Sequence, residues 1–267
     1  MILGEKMIRL SDKPVTHIVV AAHPDDVEIM CGAGIASCYK KENQGLLAVI
    51  VSDGGGSPRS GEFENYTYEE MVKQRRIEQI NAAKKGDFTA LIMLSHTSAD
   101  INQRKKEIAD EIKEIIESFS PKIVYTHNPA DKHRTHVSVF LLTLEAVRNA
   151  ETKIEKFYGC ECWRGLDWLT GEDKIIFDLT GYDELLTELL NEHVSQVQGG
   201  KRYDLAAEGR RKANATFLES HSTDKPESCS YAMDLMPLAE DKSLAPEDFI
   251  AQKIDNLKAD ILSLIKG

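Results

Sequence analysis

The feature that most constrains this chain is an alternation. Short continuous apolar runs, HIVVAA (17–22), LLAVIVSD (46–53), ALIML (90–94) and KIVYTH (122–127), are separated by segments with helical periodicity. Runs that are apolar at successive positions belong to strands buried on both faces of a sheet. Between them, residues 29–40 read as a helix with small residues on a packed face. Thr67 caps a helix expected over roughly 68–85, which Gly86 stops. Residues 103–119 bring Ile108, Ile112, Ile115 and Ile116 to one side of a helix, and 136–147 is helical too. This order predicts an α/β fold: a mostly parallel sheet with helices on both faces. KFYGCECW (156–163) and KIIFDL (174–179) extend the sheet, and residues 183–197 form one helix. Residues 220–246 read as an irregular excursion, and 249–265 as a C-terminal amphipathic helix. No repeat or linker divides the chain, so a single domain over 1–267 is expected, with that excursion and helix filling about 220–267.

Charge and cysteine usage exclude several classes. Thirty-three basic against 44 acidic residues give −11, which argues against general binding to nucleic acid or an anionic membrane. One small basic pocket remains compatible with that balance. No apolar run approaches the ~18–20 residues of a membrane span. Residues 1–16 mix charged with apolar side chains and hold no signal-peptide core, so a cytoplasmic protein is predicted. Five cysteines (Cys31, Cys38, Cys160, Cys162 and Cys229), an odd number, read as buried thiols in a reducing compartment.

In parallel sheets functional groups gather at the carboxyl ends of strands. The first strand ends in Ala22-His23-Pro24-Asp25-Asp26-Val27-Glu28, and the fourth runs into a segment holding His127, Asp131, His133 and His136. Imidazole and carboxylate suit zinc and its neighbours, and a catalytic zinc takes three protein ligands with one position open. His23, Asp26 and one of the later histidines supply that set, which leaves Asp25 as a spare carboxylate. Singly, each piece has a plainer reading: a turn with an aspartate cap, or surface histidines. Their joint occurrence at two strand ends favours the metal site.

Arg75 falls in helical phase with Tyr68, Met71, Val72 and Gln79, so it points inward. An inward arginine needs an anionic or hydroxyl-rich partner, either Glu78 or a core carboxylate, or a sugar hydroxyl or phosphate. Gly32-Ala33-Gly34-Ile35-Ala36-Ser37 is close to a dinucleotide fingerprint, but two preceding aspartates would repel a pyrophosphate. Close helix–sheet packing explains those small residues better. The Gly54–Gly61 loop is expected at the rim of the site. Trp163 and Trp168 are either a sugar-stacking rim or core.

Four marks occur in a telling order: AHPDDVE (22–28), Arg75-x-x-Glu78, His133-x-x-His136 after KIVYTHNP, and HVSQVQGGKRYDLAAEGRRKANATF (193–217). With them the chain resembles the PIG-L/LmbE-like zinc-dependent de-N-acetylases. The resemblance implies a Rossmann-like sheet, a single divalent metal that is usually zinc, and a homo-oligomer, a trimer or hexamer. It assigns His23, Asp26 and His136 as metal ligands and Asp25 as general base. It assigns His133 to aid the oxyanion or leaving amine and Arg75 to contact substrate; His193 either reaches the substrate, as the family's similar His-x-Ser-Gln segment implies, or is a capping or packing histidine. One position departs from the family pattern: Thr135 stands where the family's His-Pro-Asp-His carries aspartate. Asp131 is the candidate to orient His133 instead. The function implied is removal of an N-acetyl group from an amino-sugar-containing small molecule, giving acetate and a free amine. The alternatives are hydrolysis of another N-acyl amide, or a metal-containing carbohydrate- or nucleotide-binding protein without catalysis.

Overall fold

The computed structural model describes residues 6–218 and 220–266. Within them eight strands form one sheet, ordered β1-β4-β3-β2-β5-β6-β8-β7. The strands are β1 (Met7–Arg9), β2 (His17–Ala21), β3 (Leu46–Ser52), β4 (Ala90–His96), β5 (Ile123–His127), β6 (Lys156–Cys160), β7 (Ile175–Asp178) and β8 (Cys229–Asp234). The centre, β4-β3-β2-β5-β6, is parallel throughout. Both edges are antiparallel: β1 on β4, and β8 between β6 and β7. The expected α/β class and mostly parallel sheet are found.

The apolar runs divide as a pleated strand buried on both sides must. Ile18, Val20, Leu47, Val49 and Ile92 pack on one face with helices α5 (Lys106–Phe119) and α6 (Arg134–Asn149). Val19, Ala21, Ala48, Ile50 and Leu91 pack on the other, with α1 (Asp26–Met30), α2 (Gly32–Cys38) and α7 (Asp183–Asn191). A Cβ on Gly32 would lie 3.0 Å from Leu179 Cδ1, so its small size serves helix packing.

The helix expected over 68–85 is α3 (Tyr68–Lys85), held by a reciprocal cap. Thr67 Oγ1 accepts the Glu70 N–H at 3.2 Å, and Glu70 Oε2 accepts the Thr67 N–H at 2.8 Å. Three expectations need correction. The segment 29–40 is two short helices that break at Cys31. Residues 183–197 also form two helices, α7 and α8 (Val194–Val197), with His193 capping the second. The excursion at 220–246 contains β8, whose Cys229, Tyr231 and Met233 enter an apolar cluster with Phe157 of β6. Both the strand and its packing were hidden by the surrounding prolines and polar residues. After β8 come α10 (Met236–Glu240) and α11 (Pro246–Lys266); α9 (Tyr203–Thr216) precedes it, and the short α4 (Ser98–Asn102) follows β4. None of the described helices is long and apolar enough to cross a membrane.

Candidate metal centre and substrate cleft

The carboxyl ends of β2 and β5 deliver the predicted residues to one place. The chain leaves β2 through His23 and enters α1 at Asp26. It leaves β5 at His127 and enters α6, whose first turn carries His136. His23 Nδ1 lies 3.1 Å from Asp26 Oδ2, and His136 Nε2 lies 3.3 Å from each of them. Donors about 2.0–2.1 Å from a tetrahedral zinc stand roughly 3.3 Å from one another. The three atoms are therefore spaced as a first coordination shell is, and two imidazoles with a carboxylate are the donor chemistry zinc takes. Asp26 is buried, which works against its charge, but His136 and His23 beside it hold its carboxyl well below the usual range. It also accepts the His23 backbone N–H at 2.7 Å.

Asp131 corrects one expectation. Its carboxylate accepts the backbone N–H groups of His133 and Trp163, each at 2.9 Å, and reaches His136 Nδ1 at 3.5 Å. It therefore faces the ring of His136, where an outer carboxylate would stand for a metal-binding histidine, and not the ring of His133. The His133 ring is left with Nδ1 buried and unpartnered. Burial, with His136 and His23 close by, pushes its pKa down to about 4, so this imidazole is neutral at pH 7.

A second group, His127, Asp131, His136 and Cys162, also has atoms close enough to surround an ion. Its chemistry does not suit one. His127 Nε2 accepts the Ala22 N–H at 2.9 Å, so the ring proton sits on Nδ1 and neither nitrogen has a lone pair to spare. All five cysteines are free and buried, as expected.

Asp25 stands beside the triad in a strained conformation, φ 94°, which a residue other than glycine keeps only when its surroundings enforce it. Gln79 Oε1 accepts its N–H at 3.0 Å, and Arg75 Nη2 donates to its Oδ2 at 2.8 Å. Burial raises its pKa, and Arg75 partly offsets that. Arg75 also donates to the Pro24 carbonyl and pairs with Glu78 at 3.3 Å. Gly54 crosses directly above it: at φ +74° a Cβ there would meet Arg75 Cβ at 3.1 Å. The expected inward arginine is thus spent on carboxylates. It also lines the cleft, and its contacts hold Asp25 in place.

His193 is corrected as a substrate contact. It is fully buried, with Nε2 3.1 Å from Glu28 Oε2, and does not line the cleft. Glu28 in turn accepts from Gln79 Nε2 at 2.9 Å. Ser195 donates to Glu78 through its backbone N–H at 2.7 Å and its hydroxyl at 2.8 Å. Sequence reasoning did not assign Glu28, Gln79 or Ser195 roles. Their signal was present, since Gln79 shares the Arg75 face and Ser195 lies in the His-x-Ser-Gln segment.

The triad opens into a cleft of about 390 Å³. His23, Asp25, His133 and Thr135 line its floor, the 54–58 loop one rim, and Trp163, Gln196, Lys201 and Tyr203 the other. The loop lies at the rim as expected. Trp163 faces the cleft, its ring 5.2 Å from that of His133, whereas Trp168 packs against the Phe157 cluster.

Fold and donor set together define an α/β protein with a metal-competent cleft at the carboxyl edge of its sheet. Residues 18–147 match the family model described as PIG-L, GlcNAc-PI de-N-acetylase. The chain is 26% identical over 153 residues to the uncharacterized deacetylase YaiS of Escherichia coli, covering 55% of this chain and 76% of that protein. Its fold is similar to that of the N,N'-diacetylchitobiose deacetylase of Pyrococcus horikoshii (TM-score 0.63, 17% identity, 82% of this chain and 83% of that one). It is as similar to a 4-carboxy-2-hydroxymuconate hydratase from Pseudomonas putida (TM-score 0.62, 16% identity, 83% and 96%). The fold alone therefore does not name the reaction.

Proposed function

We propose that this protein is a metal-dependent, and specifically zinc-dependent, hydrolase that removes the N-acetyl group of an amino-sugar-containing small molecule. The observation that carries the reading is the pairing of a three-donor set with a separate carboxylate. Asp25 lies outside the His23–Asp26–His136 triad, and among the described residues its Oδ1 accepts no hydrogen bond. A purely structural metal has no use for such a group. The deacetylases among the similar proteins add support.

When bound, the metal supplies Lewis-acid polarisation of an amide carbonyl and lowers the pKa of a water. The chain's own residues do the rest. Asp25, held through Oδ2 by Arg75 and through its N–H by Gln79, takes the attacking water's proton on Oδ1 and returns it to the leaving nitrogen. Neutral His133 serves as a hydrogen-bond donor to the developing oxyanion. Trp163 offers an apolar ring to a sugar face.

The test is acetate release from N-acetylglucosamine, its phosphates, its simple glycosides and chitobiose by zinc-loaded protein. Release that disappears on chelation and returns with zinc is expected. A zinc-loaded chain that frees acetate from none of these would sink the reading.

We also propose that the chain is a homo-oligomer, a trimer or hexamer. On α11, Ile254, Leu257, Ile261 and Leu264 recur at the alternating spacing of a helix–helix seam, and Ile254, Ile261 and Leu264 are 46–77% exposed. Light scattering of the purified protein should give three or six chains. Replacing Ile261 and Leu264 by glutamate should lower that number. A monomeric natural chain overturns the proposal.

A further inference from the structure

The cleft does not end at the triad. Trp163, Lys201 and Tyr203 are a wall shared with an adjoining hollow of about 230 Å³. Lys132, Lys201 and Arg210 line that hollow, and no carboxylate does. Arg210 has Glu161 nearby, but in a chain carrying 44 acidic residues against 33 basic ones the two lysines stand out for facing the hollow without an acid. Elsewhere lysines find acids: Lys6 meets Glu111, Lys85 meets Glu192 and Lys253 meets Asp173. Lys132 and Lys201 form no ion pair among the described residues. Lys201 instead holds its ammonium 5.3 Å from the centre of the Trp163 ring. Arg210 donates through Nη1 to the Cys162 carbonyl, which fixes the guanidinium at the hollow's wall. Like charges gathered in a concave site raise the local positive potential, and an anion relieves it.

We propose that this hollow is the subsite for an anionic substituent of the substrate, a phosphate or a carboxylate, carried by the amino sugar. The inference rests on the de-N-acetylase reading and narrows its substrate class. Trp163 separates the two parts: its ring lies 6.2 Å from that of the ligand His136 on one side and borders the cation-lined hollow on the other. A sugar on this ring places its acetamide toward the triad and a substituent toward Lys132 and Lys201. Charge-assisted hydrogen bonds from the two ammonium groups then hold the anion.

Titration calorimetry on zinc-loaded Asp25→Asn protein reads binding apart from turnover. The probes are methyl N-acetylglucosaminide as the neutral arm, N-acetylglucosamine 1-phosphate as the phosphate arm and N-acetylmuramic acid as the carboxylate arm. At least one anionic arm should bind about tenfold or more tightly than the neutral one. That preference should shrink by about tenfold when Lys132→Gln and Lys201→Gln are combined, and should fall in about 0.5 M salt. Whichever anionic arm responds names the source. Equal binding of all three probes overturns the subsite, and so does a preference that survives loss of both lysines. An anionic preference in a protein whose natural form releases no acetate would sink the deacetylase reading and keep the subsite.

Discussion

Asp25→Asn is expected to lower acetate release by about a thousandfold while leaving one zinc per chain. Removing a positioned general base typically loses 10²–10⁴ in rate, roughly, and the amide cannot accept the water's proton. The substitution keeps the side chain's size and its reach to Arg75, so the fold has little to lose. Asp25 is not among the three converging donors, and the nearest of those, Asp26, is held by its own partners His23 and His136. Zinc content by elemental analysis and acetate release on the same sample separate the two roles. Zinc lost together with activity would mean that the base and ligand assignments are reversed. Activity above about a tenth of the natural rate would remove Asp25 from the proton transfer, since even the low end of a base's contribution exceeds that.

Much of this site was legible before any coordinates because its parts sit beside strong local signals. AHPDD follows an unbroken apolar run, so its position at a strand's carboxyl end could be read directly. His133 and His136 follow another such run at helical spacing. What could not be read was partnership across the chain. Asp131 lies two residues from His133 and accepts its backbone N–H, yet its other contacts run to the His136 ring and to the Trp163 backbone, which is set by the path after β6. His193 and Glu28 are 165 residues apart and meet only because α7 and α8 pack against α1 and α3. The same limit hid β8. Its CSYAMD lies in a polar, proline-bearing stretch, and its strand state comes from pairing with β6 and β7 rather than from its own pattern.

Arg75→Met is expected to destabilise the protein by about 3–5 kcal/mol, the usual effect of removing one partner from a buried ion pair. The guanidinium lies between two carboxylates that solvent barely reaches: Asp25 at 7% and Glu78 at 2% side-chain exposure. Ser195 and Gln74 still donate to Glu78, but Asp25 is left with no cation at its Oδ2. The loss should depend on pH, and its sign follows from Asp25. Burial already raises the folded-state pKa of this group above its ordinary value, and Arg75 is the largest influence pulling it back. An acid with a raised folded pKa penalises the fold above its unfolded pKa, where it must be charged, and the penalty fades as pH falls and the carboxyl takes a proton. Without Arg75 that pKa rises further. The stability gap between natural protein and variant should therefore be wide at pH 7.5 and already narrower at pH 5, a higher pH than that at which an ordinary carboxylate salt bridge loses its contribution. Urea unfolding at the two pH values, with equal slopes, reads it directly. A gap under about 1 kcal/mol at pH 7.5 would class the pair with exposed ion pairs. A gap equal at pH 7.5 and pH 5 would show that Asp25 stays a carboxylate across that range with or without Arg75, too weak a base for the role proposed for it.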